Sequence, residues 1–175
     1  MFVVTVCTAN LCRSPFAEQV LQRAFDRAGR DVTVRSTGTD VVAGLRPPQL
    51  WIDVTAPFGV HLADHRSVAP EDVLEGADLL LAMTADHARA LVVARPELVG
   101  RVTTLGSAVD QAEQGAPSPG DLVVARRGVD LLMAGNEFDI PDPVGRSRRV
   151  QRAVAEHVVD LCARLVNSWP GGEGP

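Results

Sequence analysis

The chain has 175 residues, 46% of them apolar, and a formal net charge of −5. That length suits one domain with an adequate core, and the acidic balance, with no basic stripe, argues against nucleic acid as a partner. No window reaches the roughly 18 uninterrupted apolar residues of a membrane span, so no membrane partner is expected.

Residues 2–6 form a short continuous apolar run, the pattern of a strand buried on both faces. No basic leader precedes it, so it does not read as a signal peptide. Ser14-Pro15 has the form of a helix start, serine as a cap and proline in the first turn. Phe16, Ala17, Val20, Leu21, Ala24 and Phe25 continue at helical spacing, and Gly29 ends the helix. Val32–Ser36 reads as a second strand, Gly44–Pro48 as a loop, and Pro48–Phe58 as a helix stopped by Gly59. Ala77–Met83 is a strongly apolar third strand. Thr84 can cap a helix over Ala85–Ala94, and Arg101–Leu105 reads as a fourth strand.

Gln114–Gly120, with two prolines and two glycines, reads as a surface loop. Leu122–Met133 fits either helix or strand. Arg146–Asn167 is a long amphipathic helix with Val150, Val154, His157, Val158, Leu161 and Leu165 on one side. Gly171–Pro175 is expected to be a disordered tail beyond a single domain of residues 1–170. Alternating strands and helices predict an α/β fold, a four-stranded parallel sheet with helices on both faces. Ligands in such folds bind beyond the carboxyl ends of strands, which puts a site at Cys7.

There are three cysteines, Cys7, Cys12 and Cys162. An odd, sparse set argues against a secreted disulfide framework and for reduced thiols in the cytoplasm. The segment Cys7-Thr8-Ala9-Asn10-Leu11-Cys12-Arg13-Ser14 lies between a buried strand and a helix start. Backbone N–H groups of such a loop converge on an anion, and the helix dipole adds positive charge. Arg13 can grip two phosphate oxygens with its planar fork. The same field favours the Cys7 thiolate, the species that attacks in covalent catalysis. Ser14 either caps the helix or donates to the Cys7 sulfur. Asn10 either occupies a left-handed turn conformation or holds the loop by side-chain hydrogen bonds. Cys12 either packs as a small apolar residue or traps oxidised Cys7 as a disulfide. Cys162 is expected in the core.

Phosphoryl transfer also needs a proton for the leaving oxygen. Asp139 and Asp142 are the candidates within Glu137–Pro143. No cofactor is expected, because the loop itself neutralises the phosphate charge, and the histidines show no metal-ligand spacing.

The run from Val6 to Pro15, V-C-x-x-N-x-C-R-S-P, followed by Ala17-Glu18, resembles the signature of the low-molecular-weight protein tyrosine phosphatases. Arg35–Thr39 resembles the family's S-x-G-T. Gly59–Leu62 with His65-Arg66 resembles its G-I-x-L and H-R, and Ala77–Met83 its third strand. The agreement is strong over 1–95 and 137–165 and poor over about 106–136. The resemblance implies a phosphocysteine intermediate on Cys7, with Asp142 of Asp142-Pro143 as general acid and base. It implies phosphate binding by the loop from Thr8 to Ser14, and support of Asn10 by His65. The expected substrate is a phosphorylated protein or small aryl phosphate.

The chain departs from the family where aromatic residues usually wall the pocket. Asp40-Val41-Val42 and Val144-Gly145 stand there instead, which weakens a preference for tyrosine. Leu11 points back toward aryl phosphate, because related protein-arginine phosphatases resemble this loop with threonine at that position. Arsenate reductases share the loop but need further cysteines after the third strand, and residues 83–95 hold none.

Overall fold

The apolar run near the start of the chain forms strand β1 (Phe2–Cys7), buried from Val3 onward. In the computed structural model, which describes residues 1–123 and 135–170, β1 lies between β2 (Thr33–Gly38) and β3 (Leu79–Ala82). Strand β4 (Val102–Thr104) completes a parallel sheet in the order β2-β1-β3-β4. Cys7 pairs with Gly38, and Val6 with Ala82. The carboxyl ends of the three neighbouring strands therefore lie side by side. The chain passes from β1 to β2 on one side and then crosses back over β1 to make β3 on the other. That reversal opens a crevice beyond the end of β1.

Side chains alternate between the two faces with the strand period. Val3 and Cys7 of β1 and Leu79 and Leu81 of β3 face the larger core. It is filled by α1 (Arg13–Arg27), α2 (Gln49–Thr55), α4 (Leu105–Glu113) and α5 (Arg148–Asn167), through Phe16, Leu21, Trp51, Leu105, Val158 and Leu165 among others. Val4, Val6, Leu80 and Ala82 face the other way, against Ala88 and Leu91 of α3 (Ala85–Ala94) and against Leu98. Helices thus cover both faces, as the alternation of elements predicts. Among the described residues, no helix is long and apolar enough to cross a membrane.

Several boundaries differ from the sequence reading. Helix α1 begins at Arg13 with Cys12 in the capping position and no side-chain cap, so Ser14 is not the cap. On α5, Val150 is 39% exposed and His157 is exposed. Val154, Val158, Leu161 and Leu165 are buried as expected, and Gln151, Ala155, Cys162 and Val166 complete the stripe. Helix α4 was not expected. It is capped by Thr104 Oγ1, which accepts from Ser107 N at 3.1 Å, and it buries Leu105, Ala108, Val109 and Ala112 at helical spacing. Gly106 hides this helix in the sequence. The position needs a small residue because an added Cβ would stand 3.0 Å from Phe138 Cβ. Residues 124–133 of the ambiguous Leu122–Met133 stretch and the tail Gly171–Pro175 lie outside the described residues.

Candidate active site

The loop after β1 is held from every side. Thr39 N donates to Cys7 O and Asp40 N to Thr8 O, both at 2.9 Å. These bonds draw β2 so close that a Cβ on Gly38 would come within 2.1 Å of Thr8 O. Only glycine fits there. Asn10 adopts φ 55°, the left-handed region, and is fully buried. Its Nδ2 donates to Ser14 Oγ at 3.1 Å and Ser36 Oγ at 2.9 Å, and its Oδ1 accepts from Val68 N at 2.8 Å. Its carbonyl accepts from His65 Nε2 at 2.8 Å. Both readings of Asn10 therefore describe one residue: the side-chain bonds hold the strained turn. From below, Trp51 Nε1 donates to Cys12 O at 3.1 Å, and its ring meets Phe16 edge-on at 5.7 Å.

Cys7 Sγ lies 3.0 Å from Ser14 Oγ. Ser14 Oγ also reaches Thr37 O at 2.9 Å. The hydroxyl has one proton and Asn10 only donates to it, so the proton goes either to Thr37 O or to sulfur. When Cys7 is a thiolate, Ser14 is the partner able to donate. Freed from capping, Ser14 sits where it can solvate the sulfur.

Arg13 is only 5% exposed. Its Nη1 donates to Ile140 O at 3.0 Å, and its Nη2 lies 3.6 Å from Asp142 Oδ1. Its buried Nε has no hydrogen-bond partner among the described residues. A buried, unsatisfied guanidinium N–H is costly and calls for an anionic acceptor.

The segment carrying the two aspartates is pinned across the end of β3. Ile140 N donates to Met83 O at 2.8 Å, and Asp139 Oδ1 accepts from Ala85 N at 2.7 Å. Asp139 is thus occupied as an anchor at the start of α3. Asp142 is half-exposed, with Val144 N donating to its Oδ1 at 3.2 Å.

Cys7, Thr8, Ala9, Leu11, Cys12, Arg13, Asp142 and Val144 line one pocket of about 60 Å³. That is far below the roughly 300–1,000 Å³ of a pocket enclosing a whole small molecule. It has room for a phosphoryl group, with the rest of a substrate outside. Its aliphatic lining is Ala9, Leu11 and Val144; Val41 and Val42 are not among the lining residues.

All three cysteines are unpaired, and Cys162 is fully buried on α5. Burial pushes the Cys12 thiol up to about 12, with the neighbouring Cys7 adding to the effect. Burial also raises Glu18, against the lowering effect of the Ser36 hydroxyl that donates to it. His65 is lowered, chiefly by burial.

Two residues near the loop escape the sequence reading. Trp51 backs the loop through Cys12. His87, on the first turn of α3, places Nε2 2.8 Å from Thr8 Oγ1 and Nδ1 2.8 Å from Thr84 Oγ1. Burial, then Arg13, pulls His87 down to about 4. The rule that sites gather beyond strand ends points to the turn after β3 as much as to that after β1.

Residues 2–121 match the family model of low molecular weight phosphotyrosine protein phosphatases. The protein-arginine-phosphatase of Bacillus subtilis is 29% identical over 167 residues, 94% of each chain. The low molecular weight protein-tyrosine-phosphatase Etp of Escherichia coli is 31% identical over 169 residues, 95% of this chain and 90% of the relative. A solved structure of the arginine phosphatase YwlE, a Cys-to-Ser mutant with a phosphorylated active-site serine, matches with TM-score 0.75 at 25% identity. The match covers 95% of this chain and 94% of that one.

Proposed function

The chain belongs to the low molecular weight phosphotyrosine protein phosphatase family, and on that premise we propose that it hydrolyses phosphotyrosine or another aryl phosphomonoester on Cys7. The carrying observation is the shared pocket: Cys7 Sγ beside Ser14 Oγ, the buried Arg13, and Asp142 3.6 Å from that arginine.

Loop amides and Arg13 Nε hold the phosphoryl oxygens. The Cys7 thiolate attacks phosphorus; the S–P bond forms as the ester P–O bond breaks. The Asp142 carboxyl gives its proton to the departing oxygen. The resulting carboxylate takes a proton from water, whose oxygen attacks phosphorus as the S–P bond breaks. Ser14 turns its proton to the leaving sulfur. His65 keeps Asn10, and with it the loop, in place. Charge stabilisation comes from fixed dipoles and one guanidinium, which suits a dissociative transition state. The unpaired cysteines suit a reducing, cytoplasmic compartment.

A second reading, protein-arginine phosphatase, draws on the Bacillus subtilis relative and on a pocket without an aromatic wall. Leu11 favours the aryl reading, since an aliphatic side chain suits a ring better than a polar guanidine. Hydrolysis of matched phosphotyrosine, phosphoarginine and phosphoserine peptides decides between them. The aryl reading predicts the highest kcat/KM for phosphotyrosine, and loss of activity in Cys7→Ser. A preference for phosphoarginine selects the second reading, and an active Cys7→Ser rejects both.

A further inference from the structure

The phosphate loop and the acid segment are joined to a common support, the turn that follows β3. Met83 O and Ala85 N hold Ile140 and Asp139, while His87, two residues on, reaches Thr8. The first two bonds orient the acid segment. The third touches the residue next to the nucleophile, and the steps of hydrolysis given above make no use of it.

His87 is 7% exposed, so its ring nitrogens depend on the protein for partners. Thr84 Oγ1 accepts from the His87 backbone N–H at 3.2 Å, which leaves its own proton to be placed. Nδ1 lies 2.8 Å away and can accept it. In that arrangement Nδ1 is the acceptor, and Nε2 carries the ring proton. Nε2 then donates across 2.8 Å to Thr8 Oγ1. The Thr8 oxygen is satisfied as an acceptor, and its own proton is free. Thr8 is exposed and lines the pocket with Cys7 and Arg13.

We propose that His87 is a positioning residue that, relayed from Thr84, turns the Thr8 hydroxyl into a hydrogen-bond donor for a phosphate oxygen. The opposite tautomer would aim the Thr8 proton at His87 and present a lone pair to the anion. A dianion in the pocket favours the donating arrangement, because only that one answers its charge. The relay lies across the crevice between the ends of β1 and β3, so it comes from the fold's reversal point rather than from the loop sequence. The proposal rests on the phosphatase reading and adds a side-chain donor to the ligands of that site.

Direct calorimetry of inorganic phosphate binding tests it, alongside hydrolysis of an aryl phosphate by the same proteins. Thr8→Val keeps the shape and removes the hydroxyl; it should weaken phosphate binding by roughly tenfold, the effect of one hydrogen bond to a charged group. His87→Ala should weaken it to a similar extent, and the double variant should be no worse than either alone. His87→Gln, whose amide can donate from near the position of Nε2, should restore binding to within about threefold of the wild type, a rescue that a purely structural histidine would not show. Thr8→Val is at an exposed position and reads out even if His87→Ala fails to fold. Unchanged phosphate affinity in Thr8→Val, or fully additive losses, would overturn the proposal while active wild type leaves the phosphatase reading standing. A wild type that neither binds phosphate nor hydrolyses the ester overturns both.

Discussion

Arg13 donates through Nη1 to the carbonyl of Ile140 at 3.0 Å, so the residue proposed to grip phosphate also holds the segment that carries Asp142. The nucleophile loop and the acid segment are 127 residues apart in sequence, yet one buried side chain spans them. Arg13→Lys keeps the charge but loses the fork that serves both tasks. It should lower kcat/KM for an aryl phosphate by roughly a hundredfold, about 3 kcal/mol of transition-state stabilisation. Steady-state kinetics checks this; a loss under threefold would mean that Arg13 acts as charge alone.

The two aspartates should separate cleanly. Asp142→Ala should cut kcat by roughly 10²–10⁴ with little change in stability, since it removes the proton donor and an exposed carboxylate. Asp139→Ala removes the acceptor for Ala85 N and should cost about 1 kcal/mol of stability, with a smaller fall in rate. Urea denaturation and kcat measured on both variants decide this. The reverse pattern would transfer the acid role to Asp139.

Asn10 holds the loop through buried polar partners on Ser14, Ser36 and Val68. Asn10→Ala leaves several of them unmet and removes a side chain that tolerates positive φ. The expected destabilisation is about 2–4 kcal/mol. Denaturant unfolding of wild type and variant measures it. A change below about 0.5 kcal/mol would show that the network contributes little.

His87 makes stability depend on pH. Burial and Arg13 hold it down to about 4, although Asp142 and Asp86 pull the other way. The folded state therefore refuses a proton that the unfolded chain accepts below its ordinary value near 6.5. The stabilisation is complete above that value and is lost as pH falls toward 4, by up to about 3 kcal/mol. His65, also lowered, acts in the same direction. Glu18, raised by burial, acts in the opposite one, its contribution being present at low pH and lost as pH rises. Unfolding free energies at pH 4.5 and 7 should differ less in His87→Gln than in the wild type. Equal pH slopes would contradict this.

Much of this architecture is legible in local patterns. The Val-rich start of the chain, the cap at Thr84 and the stop at Gly59 each act over a few residues, and the elements follow them. Thr84 does accept from His87 N, and Gly59 does take positive φ at 76°. What escapes the sequence depends on distant neighbours. Ser14 has the form of a cap, but the sulfur of Cys7, Thr37 O and Asn10 compete for its hydroxyl and win. Helix α4 is masked by a glycine whose reason is Phe138, thirty-two residues on. Trp51 supports the loop from inside the core through Cys12 O, thirty-nine residues back in the chain. His87 becomes visible only once β1 and β3 are side by side. In the site, Cys7, Arg13 and the loop stand out as a compact motif. What sets Asp139 apart from Asp142 is its bond from Ala85 N, fifty-four residues away, which no local pattern shows.

The most direct test of the account is capture of the covalent intermediate. Asp142→Ala, mixed with an aryl phosphate and quenched in acid on the millisecond scale, should carry a phosphoryl group on the peptide containing Cys7, detectable by mass spectrometry. Cys7→Ala should carry none and should not turn over. Turnover by Cys7→Ala, or a phosphoryl group captured on any other residue, would contradict the central claim.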